Sequence, residues 1–221
     1  MNLPKTLSLI GAAGLGLSAL ITCRAAAAEP EDAITPPSRI ELFNGRDFTG
    51  WTFCLKSNAE PAKTWSVTNG AIVCTGRPTG YARTEKNYRD FQLTVEWRFT
   101  KPGNTGALVF MQEPDKVWPN CIECQGMHDH MGDFWLQGGA KANETPNMSR
   151  NGIKMLQPSN ESPVGEWTTF QVVCRSNTVE IIVNGKSMNK ITGCNAASGH
   201  IGLQSEGAAM EVRKVFLEPL K

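Results

Sequence analysis

The chain has 221 residues, with 22 Lys and Arg against 21 Asp and Glu, a formal net charge of +1 and no long run of one sign. That balance gives no footprint for nucleic acid or an anionic membrane surface. The length allows one domain with a real core behind a short leader.

The leader comes first. Lys5 precedes an uncharged run from Leu7 to Thr22, followed by Ala25-Ala26-Ala27-Ala28 and then Glu29-Pro30. A basic start, an apolar middle and a small-residue stop predict a secretory signal peptide over 1–28, cleaved after Ala28. The run is too short and Gly-rich for a membrane span, which needs about 20 apolar residues. Leu20-Ile21-Thr22-Cys23 also resembles a lipoprotein box, which would anchor the chain through Cys23, although Thr beside the Cys fits it poorly. The expected location is periplasmic or secreted. Residues 29–38 are polar and Pro-rich and read as a linker, leaving 39–221 as the domain.

Strand patterns then follow one another. Phe91 to Phe99 alternates apolar and polar, placing Phe91, Leu93, Val95, Trp97 and Phe99 on one face. Ala107 to Met111 is apolar throughout and reads as a strand covered on both faces. Phe170–Arg175 and Val179–Val183 flank Ser176-Asn177-Thr178 as a hairpin. Asn184-Gly185 marks the next turn, of the kind that takes positive φ. His200–Gln204 and Met210–Leu217 are the last two strands. Helical periodicity is nearly absent, and 21 Gly with 13 Pro break any long helix. Short strands separated by turns predict an all-β sandwich. Residues 112–168 are polar, rich in Trp, Gly and His and poor in strand runs, so function is expected there.

An exported chain would meet an oxidising environment, so disulfides are expected among Cys54, Cys74, Cys121, Cys124, Cys174 and Cys194, in pairings that sequence does not choose. Cys121 and Cys124 do not pair if they share a strand, because their Cα atoms then lie about 10 Å apart. A redox Cys-x-x-Cys is not indicated, since no helix pattern follows it.

Several fragments together resemble one family. They are Leu42-Phe43-Asn44-Gly45-Arg46-Asp47 with Gly50-Trp51; Trp65 to Ile72; Tyr88 to Leu93 with Glu96-Trp97-Arg98; and Asn104-Thr105-Gly106. Ile122-Glu123-Cys124-Gln125, Gly165-Glu166-Trp167 and Val183-Asn184-Gly185 complete the series. Their order and spacing over roughly 40–219 resemble the 3-keto-disaccharide hydrolase domain. The resemblance implies a concanavalin-A-like jelly roll of two antiparallel sheets that holds carbohydrate on its concave sheet. For characterised members it implies cleavage of sugars oxidised at C3. After Gln125 the chain is similar to a subgroup carrying Gly132-Asp133-Phe134-Trp135.

Glu123 and Gln125 are two apart on a strand and so point from one face. Laminarinase-type glycosidases on this fold place two carboxyls with that alternation. Gln125 cannot ionise, so those two positions do not form an ordinary retaining pair. A C3 ketone acidifies the hydrogen at C2, which opens a route of proton removal, β-elimination of the C1 oxygen, and addition of water. That route needs a base, an acid and an enolate stabiliser. His128 or His130 is expected as base, with Glu123 as acid or as the acid's partner. Gln125, Asn104 and Arg98 are expected to hydrogen-bond sugar or enolate, with Asp133 and Lys154 nearby. Trp135 and Trp118 are the expected stacking platforms, while Trp51, Trp65, Trp97 and Trp167 are expected in the core. The sequence commits to no cofactor. The same His, Asp and Glu cluster could hold a divalent metal, or be a solvated polar loop. The competing reading is a carbohydrate-binding module without catalysis.

Overall fold

A computed structural model describes Met1 and residues 32–145 and 152–221. The expected signal peptide, Cys23 and the first residues of the linker lie outside the described residues. The linker's later part is tied down: Ile34 bridges Tyr88, and Tyr88 in turn bridges Gly199. No helix among the described residues is long and apolar enough to cross a membrane.

The fold is two antiparallel sheets stacked as a sandwich. In one sheet the order is β12 (Lys186–Ile191), β11 (Thr178–Val183), β10 (Thr168–Arg175), β6 (Phe91–Phe99), β14 (Met210–Pro219), β4 (Ala71–Cys74) and β3 (Trp65–Thr68), with β1 (Ile40–Glu41) also on β14. In the other it is β2 (Trp51–Leu55), β5 (Gly80–Thr84), β13 (His200–Ser205), β7 (Gly106–Gln112), β8 (Asn120–Gln125) and β9 (Phe134–Gln137). Two single 3₁₀ turns, Lys56–Asn58 and Pro61–Lys63, lie between β2 and β3.

The alternation of β6 sets the core. Its predicted inward face, Phe91, Leu93, Val95, Trp97 and Phe99, is buried throughout. Phe170, Val172, Val179, Ile181, Val212 and Leu217 extend that face on neighbouring strands, and Ala107, Val109, Ile122, Cys124, Phe134, Ile201 and Leu203 meet it from the second sheet. β7 is buried along its first six residues, as its unbroken apolar run requires. The Asn184-Gly185 turn takes φ of 46° and 79°, the two left-handed positions of a tight hairpin. In β14 the alternation slips at Arg213-Lys214 because the strand carries a register shift between Val212 and Lys214. The bulge puts both cations outward on Glu96, at 2.5 and 3.0 Å.

The cysteines depart from expectation. Cys54, Cys74, Cys121, Cys124, Cys174 and Cys194 are all free thiols. Cys121 and Cys124 sit on opposite faces of β8, as strand geometry demands: Cys124 enters the main core, and Cys121 packs with Tyr81, Leu108 and Met111 on the outer face.

Candidate active site

The outer face of the six-stranded sheet carries the polar residues. On β8, Ile122 and Cys124 turn inward, so Glu123 and Gln125 turn outward, as their spacing predicts. Glu123 stands opposite Leu108 of β7 and Trp135 of β9. It is only 3% exposed. The Gln137 side-chain amide donates to its Oε2, and Gln204 of β13 also hydrogen-bonds it. Burial pushes the Glu123 carboxyl up to about 8, the nearby Glu206 carboxylate adds to the rise, and the two glutamines oppose it. Glu123 therefore holds its proton near neutral pH.

Gly106 makes this arrangement possible. A Cβ there would stand 3.0 Å from Glu123 Cγ and 3.2 Å from Gln204 Oε1, so a side chain would push the carboxyl off the sheet. Gln204 Oε1, Gln137 Oε1 and Asn104 Oδ1 are buried without a hydrogen-bond partner. Gln204 and Gln137 are the two that touch the Glu123 carboxyl, whose retained hydrogen can serve one of them; the other, and Asn104 in the cleft, are buried acceptors that a ligand could satisfy.

A cleft of about 510 Å³ opens where β7 begins, lined by Asn104, His128, Asp129, His130 and Glu206 among others. Its wall is the loop 126–133, laced to the segment 103–105 that leads into β7. Gly126 N–H donates to Thr105 O (2.8 Å) and His128 N–H to Gly103 O (2.9 Å). Glu206 follows β13 directly; it is half-buried, has no ion-pair partner among the described residues, and burial raises its pKa. His128 Nδ1 lies 3.0 Å from Glu161 Oε1, and the same oxygen accepts from Asp129 N–H at 2.6 Å. The nearer carboxylate favours the hydrogen on Nδ1, while Nε2 looks toward the exposed Asp129 carboxylate 3.7 Å away.

The expected site residues divide into two groups. Glu123, Gln125 and Trp135 share the sheet face, and Asn104, His128 and His130 line the cleft at its end. Gln125 Oε1 is partly spent on Met127 N–H at 3.1 Å. Asp133 is not a sugar contact. It is 1% exposed, and its oxygens are taken by Lys154 Nζ at 2.6 Å, His130 Nδ1 at 3.4 Å and Met155 N–H at 2.8 Å. It braces the loop, and Lys154 is neutralised with it.

Arg98 is on the wrong sheet. It alternates with inward Trp97, so it points out from the eight-stranded sheet and pairs with Glu211 at 2.7 Å. Trp167 is not core either: it lies between the guanidiniums of Arg98 (4.6 Å) and Arg213 (4.5 Å). Arg98→Ala should leave turnover unchanged and cost about 1 kcal/mol of stability, read from urea denaturation, because the pair is a third exposed and the stacking modest. Trp118 is half-exposed on the loop joining β7 to β8, at the opposite end of β7 from the cleft.

For a metal, the group whose ligand atoms lie within 4.8 Å of one another is His128, Asp129 and Glu161. His130 is not part of it, since Asp133 and Lys154 hold its ring, so the expected His-x-His pair does not form. Glu161 Oε1 already accepts from Asp129 N–H and has His128 Nδ1 beside it at 3.0 Å. The set thus places an imidazole against a buried carboxylate and fits an oriented ring better than an ion.

Glu206, Gln204, Gln137 and Glu161 escaped the sequence reading. Gln204 was accessible in principle, because alternation from inward Leu203 sends it outward. Glu161 sits in a stretch with no periodicity at all, and only the folded chain brings it to His128.

The model of the 3-keto-alpha-glucoside-1,2-lyase-like domain matches residues 38–218. The chain belongs to this family. Its similarity to the 3-keto-disaccharide hydrolase of Bacteroides thetaiotaomicron is 27% identity over 160 residues, 63% of this chain. The chain spans about half the length of that relative, 53%. Among solved structures it resembles a protein of Parabacteroides distasonis ATCC 8503 (23% identity, TM-score 0.62, covering 83% of this chain and 94% of the other). It also resembles the Bacillus licheniformis β-glucanase (13%, TM-score 0.55, 82% and 97%). The carbohydrate-binding module CBM66 of Bacillus subtilis is similar too (15%, TM-score 0.54, 76% and 95%). At these identities the solved structures establish the jelly-roll fold that the family shares.

Proposed function

We propose that this domain cleaves glycosides already oxidised at C3. The supporting observation is one cleft that presents an imidazole oriented by Glu161 together with Glu206, which is backed by the proton-holding Glu123. His128 Nε2 removes the hydrogen at C2. The electrons pass into the C3 carbonyl as an enolate, to which His130 and the Asn104 amide can hydrogen-bond from the cleft wall. The enolate collapses to a C1–C2 double bond as the C1–O bond breaks, and the departing oxygen takes a proton through Glu206 from Glu123. Water then adds at C1 and a proton returns to C2, so the net change is hydrolysis. Each positioned proton transfer is worth about 10²- to 10⁴-fold.

The reading is tested by incubating the chain with 3-keto-glucosides and with their unoxidised parents. Release of the leaving group from the keto sugars only, with solvent deuterium incorporated at C2, is the expected result. Binding without turnover would instead make the domain a carbohydrate-binding module. The proposal places this reaction outside the cytoplasm, on the strength of the Leu7–Thr22 run and Ala25–Ala28; a mature N-terminus at Glu29 is the expected readout.

A further inference from the structure

A second hollow, of about 270 Å³, lies beside the other end of β7, lined by Asn87, Met111, Gln112, Glu113 and His200. β7 is seven residues long, which puts its two ends about 20 Å apart. One sugar unit cannot reach both this hollow and the His128 cleft.

The hollow has an ordered floor. Arg83 is locked by Asp115, with Nε and Nη2 each 2.8 Å from a carboxylate oxygen, and its Nη1 lies 3.2 Å from His200 Nδ1. Nδ1 also lies 3.3 Å from Lys86 O, so it meets a donor on one side and an acceptor on the other. Burial and the Arg83 charge lower the His200 pKa, which keeps the ring neutral. Nε2 faces Glu113 Oε1 across 3.7 Å, too far for a hydrogen bond, and Arg83 Nη2 holds that oxygen from 3.4 Å. Adjacent hydroxyls can serve this pair from the hollow, one hydrogen-bonding Nε2 and one donating to the carboxylate. The Asn87 side-chain amide has no hydrogen bond among the described residues and offers both a donor and an acceptor. Gln112 spends its Nε2 on Phe110 O and Ser198 O, leaving Oε1 as an acceptor.

We infer that this hollow is a second carbohydrate site, binding adjacent hydroxyls of a neutral hexopyranose through His200, Glu113 and Asn87, separate from the cleft that holds His128. It would give the protein a second hold on a glycan and does not depend on any reaction at the cleft.

The test is a titration of ¹⁵N-labelled protein with methyl glucoside, methyl galactoside and methyl mannoside, followed by NMR at the His200 imidazole and the Asn87 amide. At least one sugar should shift both signals saturably. Asn87→Ala and Glu113→Gln, two positions off the buried core, should each weaken that binding about fivefold or more, the value of one lost hydrogen bond. Shifts around His128 and turnover of keto sugars should be unchanged in both variants. No shift at His200 and Asn87 with any of the three sugars would overturn the inference, as would a shift that both variants retain at full affinity.

Discussion

Glu123→Gln should cut kcat on a 3-keto-glucoside by about a hundredfold or more and, in the same molecule, raise stability at pH 8. The two effects have one cause. The folded protein holds the Glu123 proton up to about pH 8, whereas the ordinary carboxyl value is 4.5. Between those values the unfolded chain releases a proton that the folded one keeps. Stability therefore falls as pH rises from about 4.5 to 8, and above that both states are ionised and the loss is complete. A shift of that size corresponds to a few kcal/mol, as an order of magnitude. Glutamine keeps the shape and can still accept from Gln137, but it has no charge to bury. The variant should match the parent at pH 4.5 and gain most at pH 8, read as urea midpoints at constant m. The parent's activity should decline above about pH 8 as Glu123 loses its proton, and the variant's residual rate should lack that limb. Equal stabilities across this range would show that Glu123 is ionised at neutral pH and would remove it as the proton source.

The β-sandwich was legible because two kinds of strand announce themselves. β6 alternates for nine residues, and β7 is apolar without a break; these report one buried face and two. Half of the candidate site was legible for the same reason. Glu123 and Gln125 flank an inward Cys124, so their facing follows from period two alone. What was not legible depends on pairing between distant segments. Arg98 fits a sugar contact by residue type, yet its strand belongs to the other sheet, and nothing local says so. Asp133 reads as an exposed loop acid, but Lys154 and the Met155 amide draw it inward until 1% is exposed. Glu206 lies one residue past a strand that was recognised, and it becomes interesting only because β13 runs two strands from β8. Pattern fixes which way a side chain points from its own strand, while the sheet order decides what it meets.

The largest stability change should come from Trp97→Ala, and that position also ties the core to the cleft. The Trp97 indole is fully buried, its ring lies 4.6 Å from that of Phe170, and its strand pairs with β10 on one side and β14 on the other. A large aromatic deleted from such a position costs about 3–5 kcal/mol, part transfer and part cavity. Phenylalanine should cost far less. The Trp97 Nε1 hydrogen has no partner, so removing it relieves an unpaired buried donor while most of the ring contact stays. The functional consequence runs through Gly126. A Cβ on that residue would stand 2.7 Å from the indole edge, so the first residue of the His128 loop rests directly on Trp97. Emptying the space beneath it should let the loop sink and turn His128 away from the cleft, because His128 is fixed by its Gly103 and Glu161 contacts only while the loop keeps its height. Trp97→Ala should therefore lose turnover even in buffer where it remains folded, and Trp97→Phe should keep most of it. Folded Trp97→Ala with parental kcat would show that the loop is held by its own hydrogen bonds and not by the core beneath it.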